Sequence, residues 1–258
     1  MRRRPLLAVL LTAALLLTGA GTASAATPAS PKPTVVLVHG AFADASGFGE
    51  VIKKLQRKGY PVLAPANPLR GVDSDSAYIR SVLAQVPGPI VLVGHSYGGF
   101  VITNAATGNA NVKALVYIAA FAPDAGDTVG ALSAGGRLGE ATLDVRAHPG
   151  GLEGYIKPAV FRELFAADLP PSTAAMMAVS QRPADLATLG QPSGEPAWKT
   201  IRSYTLVAKD DQVIPPASQR FMAARAGAYT VEVRASHVAM TSKPDQTTDL
   251  IVKAAKGI

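Results

Sequence analysis

The chain has no cysteine in its 258 residues. Neither a disulfide nor a thiolate metal site can form, so packing alone must hold the fold together. Charge is sparse as well, at 17% of residues, and aromatics reach only 6% with a single tryptophan. The formal net charge of +7 counts Arg2, Arg3 and Arg4 at the extreme N-terminus, and the other Lys and Arg are scattered without a basic block or interleaved aromatics. Nucleic-acid binding is therefore not indicated. Long apolar runs are missing too: the greasiest stretch, Leu6 to Leu17, has about 12 residues where a membrane-spanning helix needs about 20. What is present is 48% hydrophobic sequence, enough for one core in a chain of this length.

The first residues follow the order of a secretory signal peptide, with charge at Met1-Arg2-Arg3-Arg4, then the apolar run, then the small residues Ala23-Ser24-Ala25. The expectation is a signal peptide over 1–25, cleavage before Ala26, and a secreted protein, extracellular or periplasmic, with no stable membrane anchor. A lipoprotein anchor is excluded because no cysteine follows. Residues 26–33 read as a Pro-rich spacer and 34–258 as a single domain.

Beyond the spacer, strands alternate with helices. Thr34 to Val38, Tyr60 to Ala64 and Ile90 to Val93 are continuous apolar runs, the pattern of strands covered on both faces of a parallel sheet. Phe48, Val51, Ile52 and Leu55 fall on one helical face, and Ile79, Val82, Leu83 and Val86 repeat that spacing. The fold class is α/β, a mostly parallel central sheet with helices on both faces. From about 123 to 198 the alternation gives way to glycines, prolines and short apolar patches, which reads as a lid. Its large apolar residues, Phe161, Leu164, Phe165, Met176, Met177 and Trp198, are candidates to line a pocket. Ser242-Lys243-Pro244-Asp245 has the pattern of a capping box opening the last helix.

The chemistry is carried by Gly94-His95-Ser96-Tyr97-Gly98, set directly behind the strand Ile90 to Val93. This is G-x-S-x-G in its strand-to-helix context, a nucleophile elbow that lifts the Ser96 hydroxyl off the sheet edge. A serine needs a base to take its proton, and the base needs a third group to fix its tautomer. In this architecture the chain order is serine, acid, histidine. Of His39, His95, His148 and His237, only His237 follows both the serine and a strand that can carry the acid. The acid is sought after Ser203 to Ala208, where Asp210 and Asp211 compete, with Asp124 as an outside candidate. The oxyanion is expected to meet two backbone N–H groups, that of Tyr97 behind the nucleophile and one in the loop His39-Gly40-Ala41-Phe42, from Ala41 with Phe42 as the alternative. His39 is read as a structural histidine of that loop.

Val38-His39-Gly40-Ala41, Gly94 to Gly99, Asp211 to Pro215 and Ser236-His237 together resemble the α/β-hydrolase superfamily, and within it the small-capped esterase branch of plant methyl esterases and hydroxynitrile lyases. The resemblance covers nearly all of the chain beyond the leader. It implies a small lid inserted after strand six and selects Asp211, which lies four residues ahead of Pro215. It also implies a serine hydrolase of carboxylic esters, using Ser96, His237 and Asp211 with no metal and no cofactor; it does not fix the substrate, and the modest size and low aromatic content of the lid point to small to medium esters. A lactonase, amidase or thioesterase would use the same parts. Hydroxynitrile lyases differ by a lysine after the histidine and a threonine in the His-Gly loop, where this chain has Val238 and Gly40. A ligand-binding protein that keeps the fold without catalysis is the alternative of another class. Nothing in the pattern sets an oligomeric state.

Overall fold

The computed structural model of the chain describes residues 32–258. The expected signal peptide (1–25) and all but the last two residues of the spacer (26–33) lie outside the described residues. Four strands come first: β1 (Thr34–Val38), β2 (Val62–Leu63), β3 (Ile90–His95) and β4 (Val112–Ile118). An insertion follows with β5 (Leu143–His148), β6 (Gly151–Ile156) and β7 (Ala184–Asp185), and the sheet resumes with β8 (Arg202–Ala208) and β9 (Tyr229–Val233). The main sheet runs β2-β1-β3-β4-β8-β9, and every pair in it is parallel.

Parallel neighbours need long crossovers, and here helices supply them. They are α1 (Gly49–Arg57), α2 (Val72–Leu83), α3 (Gly98–Ala105), α4 to α7 in the insertion (Val129–Leu132, Pro158–Phe165, Pro171–Ser180 and Ala187–Gly190), α8 (Pro216–Arg225), α9 (Ala239–Ser242) and α10 (Pro244–Lys256). The helices α1 and α10 pack together, as do α2 and α3. Between these layers every residue of β3 is buried, which is why that strand tolerates an unbroken apolar run.

Register places the chemistry. Val38 at the end of β1 pairs with Gly94 at the end of β3, so the His-Gly loop and the elbow leave the sheet side by side. On the other side, Ala208 pairs with Val233, and the pairing continues as Lys209 N–H to the Val233 carbonyl and Asp210 N–H to the Ala235 carbonyl. The turn holding Asp211 and the loop holding His237 thus emerge together at the same carboxyl edge, where ligands of open α/β sheets bind.

Three expectations change. The run Tyr60 to Ala64 shrinks to Val62–Leu63 because β2 is an edge strand, half open to solvent, and Pro61 has no N–H to donate to a ladder. Ser242 does not cap α10: it closes α9, where the Lys243 N–H bonds the Ala239 carbonyl, and Lys243 stands at the cap with Pro244 behind it. Asp245 instead pairs with Lys54 of α1 at 2.5 Å. The insertion starts where it is expected, after β4, the fourth strand of the main sheet in chain order among the described residues. It also carries more regular structure than its glycines and prolines suggest, a three-stranded antiparallel sheet in the order β5-β6-β7 and the helix pair α5 and α6.

Candidate active site

Ser96 sits between β3 and α3 with φ +52°, a left-handed conformation that is costly for a residue other than glycine. The turn is tight enough that a Cβ on Gly98 would collide with the Val38 carbonyl oxygen, and one on Gly40 would lie 2.6 Å from the Ser96 Cβ. Glycine at both places lets the His-Gly loop close onto the elbow.

The Ser96 hydroxyl lies 2.8 Å from Nε2 of His237, and Nδ1 of His237 lies 2.7 Å from Oδ2 of Asp211. With the carboxylate accepting from Nδ1–H, Nε2 carries a lone pair that faces the Ser96 hydroxyl. All three side chains are buried. Asp210 points to solvent, and Asp124 faces Lys199 at 3.1 Å, so Asp211 alone of the three candidates reaches the imidazole. Its two oxygens are saturated: Oδ1 accepts the Val213 and Ile214 N–H groups at 2.8 and 3.0 Å, and Oδ2 accepts Nε2 of Gln219 at 2.8 Å besides the imidazole.

The remaining histidines are held in other work. His39 is buried with Nδ1 2.9 Å from the Gly40 carbonyl and Nε2 accepting the Asn67 N–H at 2.9 Å; burial pushes its pKa down, so it stays a neutral brace of its loop. His95 is fully buried, and burial, with the adjacent His237, holds its pKa well below the ordinary value. As a neutral ring it donates Nε2–H to the main-chain carbonyl of His237 at 3.0 Å, which leaves Nδ1 without a partner among the described residues. His148 lies in the insertion, 2.8 Å from Asp185.

Ala41 and Tyr97 both line the cavity in front of Ser96, and among the described residues neither N–H is taken by a backbone carbonyl. Phe42, the alternative donor, has φ +60° and gives its N–H to the Arg182 carbonyl at 3.0 Å. The cavity measures about 290 Å³ and is mostly apolar, with Phe42, Phe121, Leu138, Leu143, Leu186 and Leu189 among its walls. None of the six lid residues singled out from sequence lines it. Phe161, Leu164 and Phe165 are buried in the core, Met176 is exposed, and Trp198 donates its Nε1–H to the Pro123 carbonyl at 2.6 Å. Large apolar side chains on a short helix such as α5 serve first to seat that helix. Among the described residues no group of three or more His, Asp or Glu is placed to hold a metal ion.

A nucleophile elbow, a serine–histidine–aspartate chain and a six-stranded parallel sheet stand together, and the profile of the alpha/beta hydrolase family matches residues 35–250. The chain belongs to that family. This hydrolase is 36% identical over 110 residues to a carbendazim hydrolyzing esterase of a Nocardioides species, a match spanning 38% of the chain and 46% of that relative. It is 26% identical over 249 residues to the alpha/beta hydrolase nvfD of Aspergillus novofumigatus, covering 87% of the chain and 97% of the relative. Among solved structures, a pyrethroid hydrolase from Sphingobium faniae superposes with a TM-score of 0.71 at 23% identity, covering 87% of this chain and 97% of the other.

Several supports of the hydrolase's site carry no sequence signal. Gln219 on α8 is the clearest, because a polar helix residue is ordinarily read as solvent-facing. It is buried, donates to Asp211 and to the Ile214 carbonyl, and accepts the Ala208 N–H at 3.0 Å. Asp75 is another: buried beneath the elbow, it accepts the Tyr97 hydroxyl at 2.8 Å, and burial raises its pKa against the pull of the Arg70 and Gly71 N–H groups. Phe165 lays its ring 5.0 Å from the His237 imidazole. Gln219→Leu should strand the Ala208 N–H and loosen Asp211, costing about 1–3 kcal/mol of stability. It should also lower kcat by roughly tenfold, as expected for a group that supports the acid from outside the triad. Urea unfolding and steady-state kinetics on one activated ester check both.

Proposed function

We propose that the protein is a serine hydrolase that cleaves small to medium carboxylic esters through an acyl-enzyme. The observation that carries this reading is the buried chain of 2.8 and 2.7 Å contacts from Ser96 through His237 to Asp211, opening on an apolar cavity. Ser96 Oγ attacks the ester carbonyl carbon while Nε2 of His237 takes its proton. The carbonyl oxygen becomes an oxyanion held by the Ala41 and Tyr97 N–H groups. Asp211 stabilises the imidazolium, which then returns the proton to the departing alkoxide as the C–O bond breaks. Water deprotonated by Nε2 attacks the acyl-enzyme and releases the acid and free Ser96.

The names of the relatives, an esterase and a pyrethroid hydrolase, support an ester-type substrate. Cyanohydrin lyase chemistry is disfavoured because buried Val238 stands where a cation would receive cyanide. The deciding experiment is a panel of p-nitrophenyl esters, aryl methyl esters, lactones and thioesters, run beside a fluorophosphonate probe. Serine-dependent labelling with preferred ester turnover is expected; no labelling would make the protein a ligand-binding relative of the fold.

The same reading includes export. The mature protein should begin at Ala26 and collect outside the cytoplasm. N-terminal sequencing of exported material that still carries Met1 would overturn it.

A further inference from the structure

The hairpin of β5 and β6 has an apolar face that is buried at Ile156 and Gly154 and exposed at Val145, Ala147 and Leu152. Successive side chains of a strand point to opposite faces, and residues directly paired in an antiparallel ladder share a face. The pairs Leu143 with Ile156, Val145 with Gly154, and Ala147 with Leu152 therefore form one wholly apolar face. Asp144, Arg146, His148, Glu153 and Tyr155 form the other.

The polar face is the partnered one. Glu153 pairs with Arg70 at 2.8 Å and accepts the Tyr155 hydroxyl at 3.0 Å, while His148 bonds Asp185 at 2.8 Å. Burial alone would raise the Asp185 carboxyl, but the Ala187 N–H and the His148 ring hold it below the usual carboxylate range. These bonds fix the orientation of the hairpin.

The apolar face starts at the catalytic cavity and runs out into solvent. At its root Leu143 lines the cavity together with Leu186, and a Cβ on Gly154 would touch both, at 3.6 and 3.5 Å. Two and four residues further along β5 the same face continues as Val145 and Ala147, joined by Leu152, and Val145 and Leu152 are about half exposed, at 48% and 49%. From Leu143 to Ala147 this is about 13 Å of strand at roughly 3.3 Å per residue. A cavity of about 290 Å³ takes a small ester whole, and only the remote part of a larger substrate must leave it across some surface.

We propose that Val145, Ala147 and Leu152 form an outer subsite for the remote hydrophobic part of the ester, an extended alkyl chain or ring of an uncharged substrate. The inference rests on the ester-hydrolase reading and names the substrate class of that site. Continuity with the cavity on a single sheet face selects this occupant. Three side chains offer far less than the roughly 800 Å² per partner of a stable protein interface. They also lack the basic residues that accompany membrane-surface contacts.

The test compares kcat/KM across p-nitrophenyl acyl esters from acetate to decanoate, and across alkyl esters of one acid from methyl to octyl. The parent is measured beside Val145→Ser/Leu152→Ser, the rescue pair Val145→Ile/Leu152→Ile, and Val179→Ser as an exposed control on α6. In at least one series the long-to-short ratio should fall about tenfold in the serine pair, mainly through KM, and stay at the parental value in the isoleucine pair and the control. Unchanged ratios in both series overturn the subsite. So does a ratio that moves only with vesicles present, or a change in oligomeric mass by light scattering without a change in ratio. If the parent cleaves no ester of either series, the hydrolase reading itself fails; if it cleaves acetate and the ratio does not move, only the subsite does.

Discussion

Ser96→Ala is expected to lower ester turnover by about 10⁴- to 10⁶-fold while the protein stays folded, because in the proposed mechanism the hydroxyl is the attacking atom and its loss removes the covalent route altogether. Stability should barely change. The hydroxyl's partner is Nε2 of His237, whose ring remains held by Asp211 through Nδ1 and ringed by Phe165. The cost of φ +52° at this position is paid by serine and alanine alike. Fluorophosphonate labelling should vanish in the same variant, while circular dichroism and the urea midpoint stay at parental values. Residual activity within tenfold of the parent would remove Ser96 as nucleophile.

Asp211→Asn should lower kcat by at least about 10²-fold at neutral pH, against a change within about threefold for Asp210→Asn. The reason lies in the donors that meet the carboxylate. Val213 and Ile214 N–H groups aim at Oδ1, and Gln219 and His237 aim at Oδ2. Whichever way an asparagine is turned, its NH₂ faces two donors. If it faces His237, the ring must flip its tautomer or turn away, and Nε2 no longer stands ready for the serine proton. If it faces the loop, two buried N–H groups lose their acceptor, at a cost of about 1–3 kcal/mol each. Asp210 is exposed and makes none of these contacts with its side chain, so the same charge change one residue earlier controls for general electrostatics. Kinetics of the purified pair on one activated ester separates them. A crippled Asp210→Asn beside an active Asp211→Asn would overturn the arrangement.

Much of this site can be read along the chain because its signals are local. A buried strand followed at once by Gly94-His95-Ser96-Tyr97-Gly98 encodes the elbow within ten residues, since backbone strain and close approach there require small neighbours on both sides of the serine. Strand and helix periods are equally local, and they locate β1, β3 and β8 to within a residue or two. The edge strand β2 is the exception. Apolar content does not tell a covered strand from an edge one, which depends on what lies beside it.

The sequence by itself determined the α/β alternation, the place of Ser96 and His237 in it, and the need for an acid behind the strand Ser203 to Ala208. Tertiary structure decided what depends on side-chain direction and on residues far apart in the chain. It turned Asp211 inward and left Asp210 in water, and it brought Gln219 under the acid and the His95 ring under the His237 carbonyl. It gave the Phe42 N–H to Arg182 and lined the cavity with Leu138, Leu143, Leu186 and Leu189 in place of the bulkier lid residues. Neighbouring loop residues share composition but not direction, and a polar residue on a helix carries no mark of burial until the sheet beneath it is assembled. Only the packed chain brings the Asp211 turn and the His237 loop within a hydrogen bond of each other, because that contact is set by the register of β8 on β9 and by no pattern within either strand.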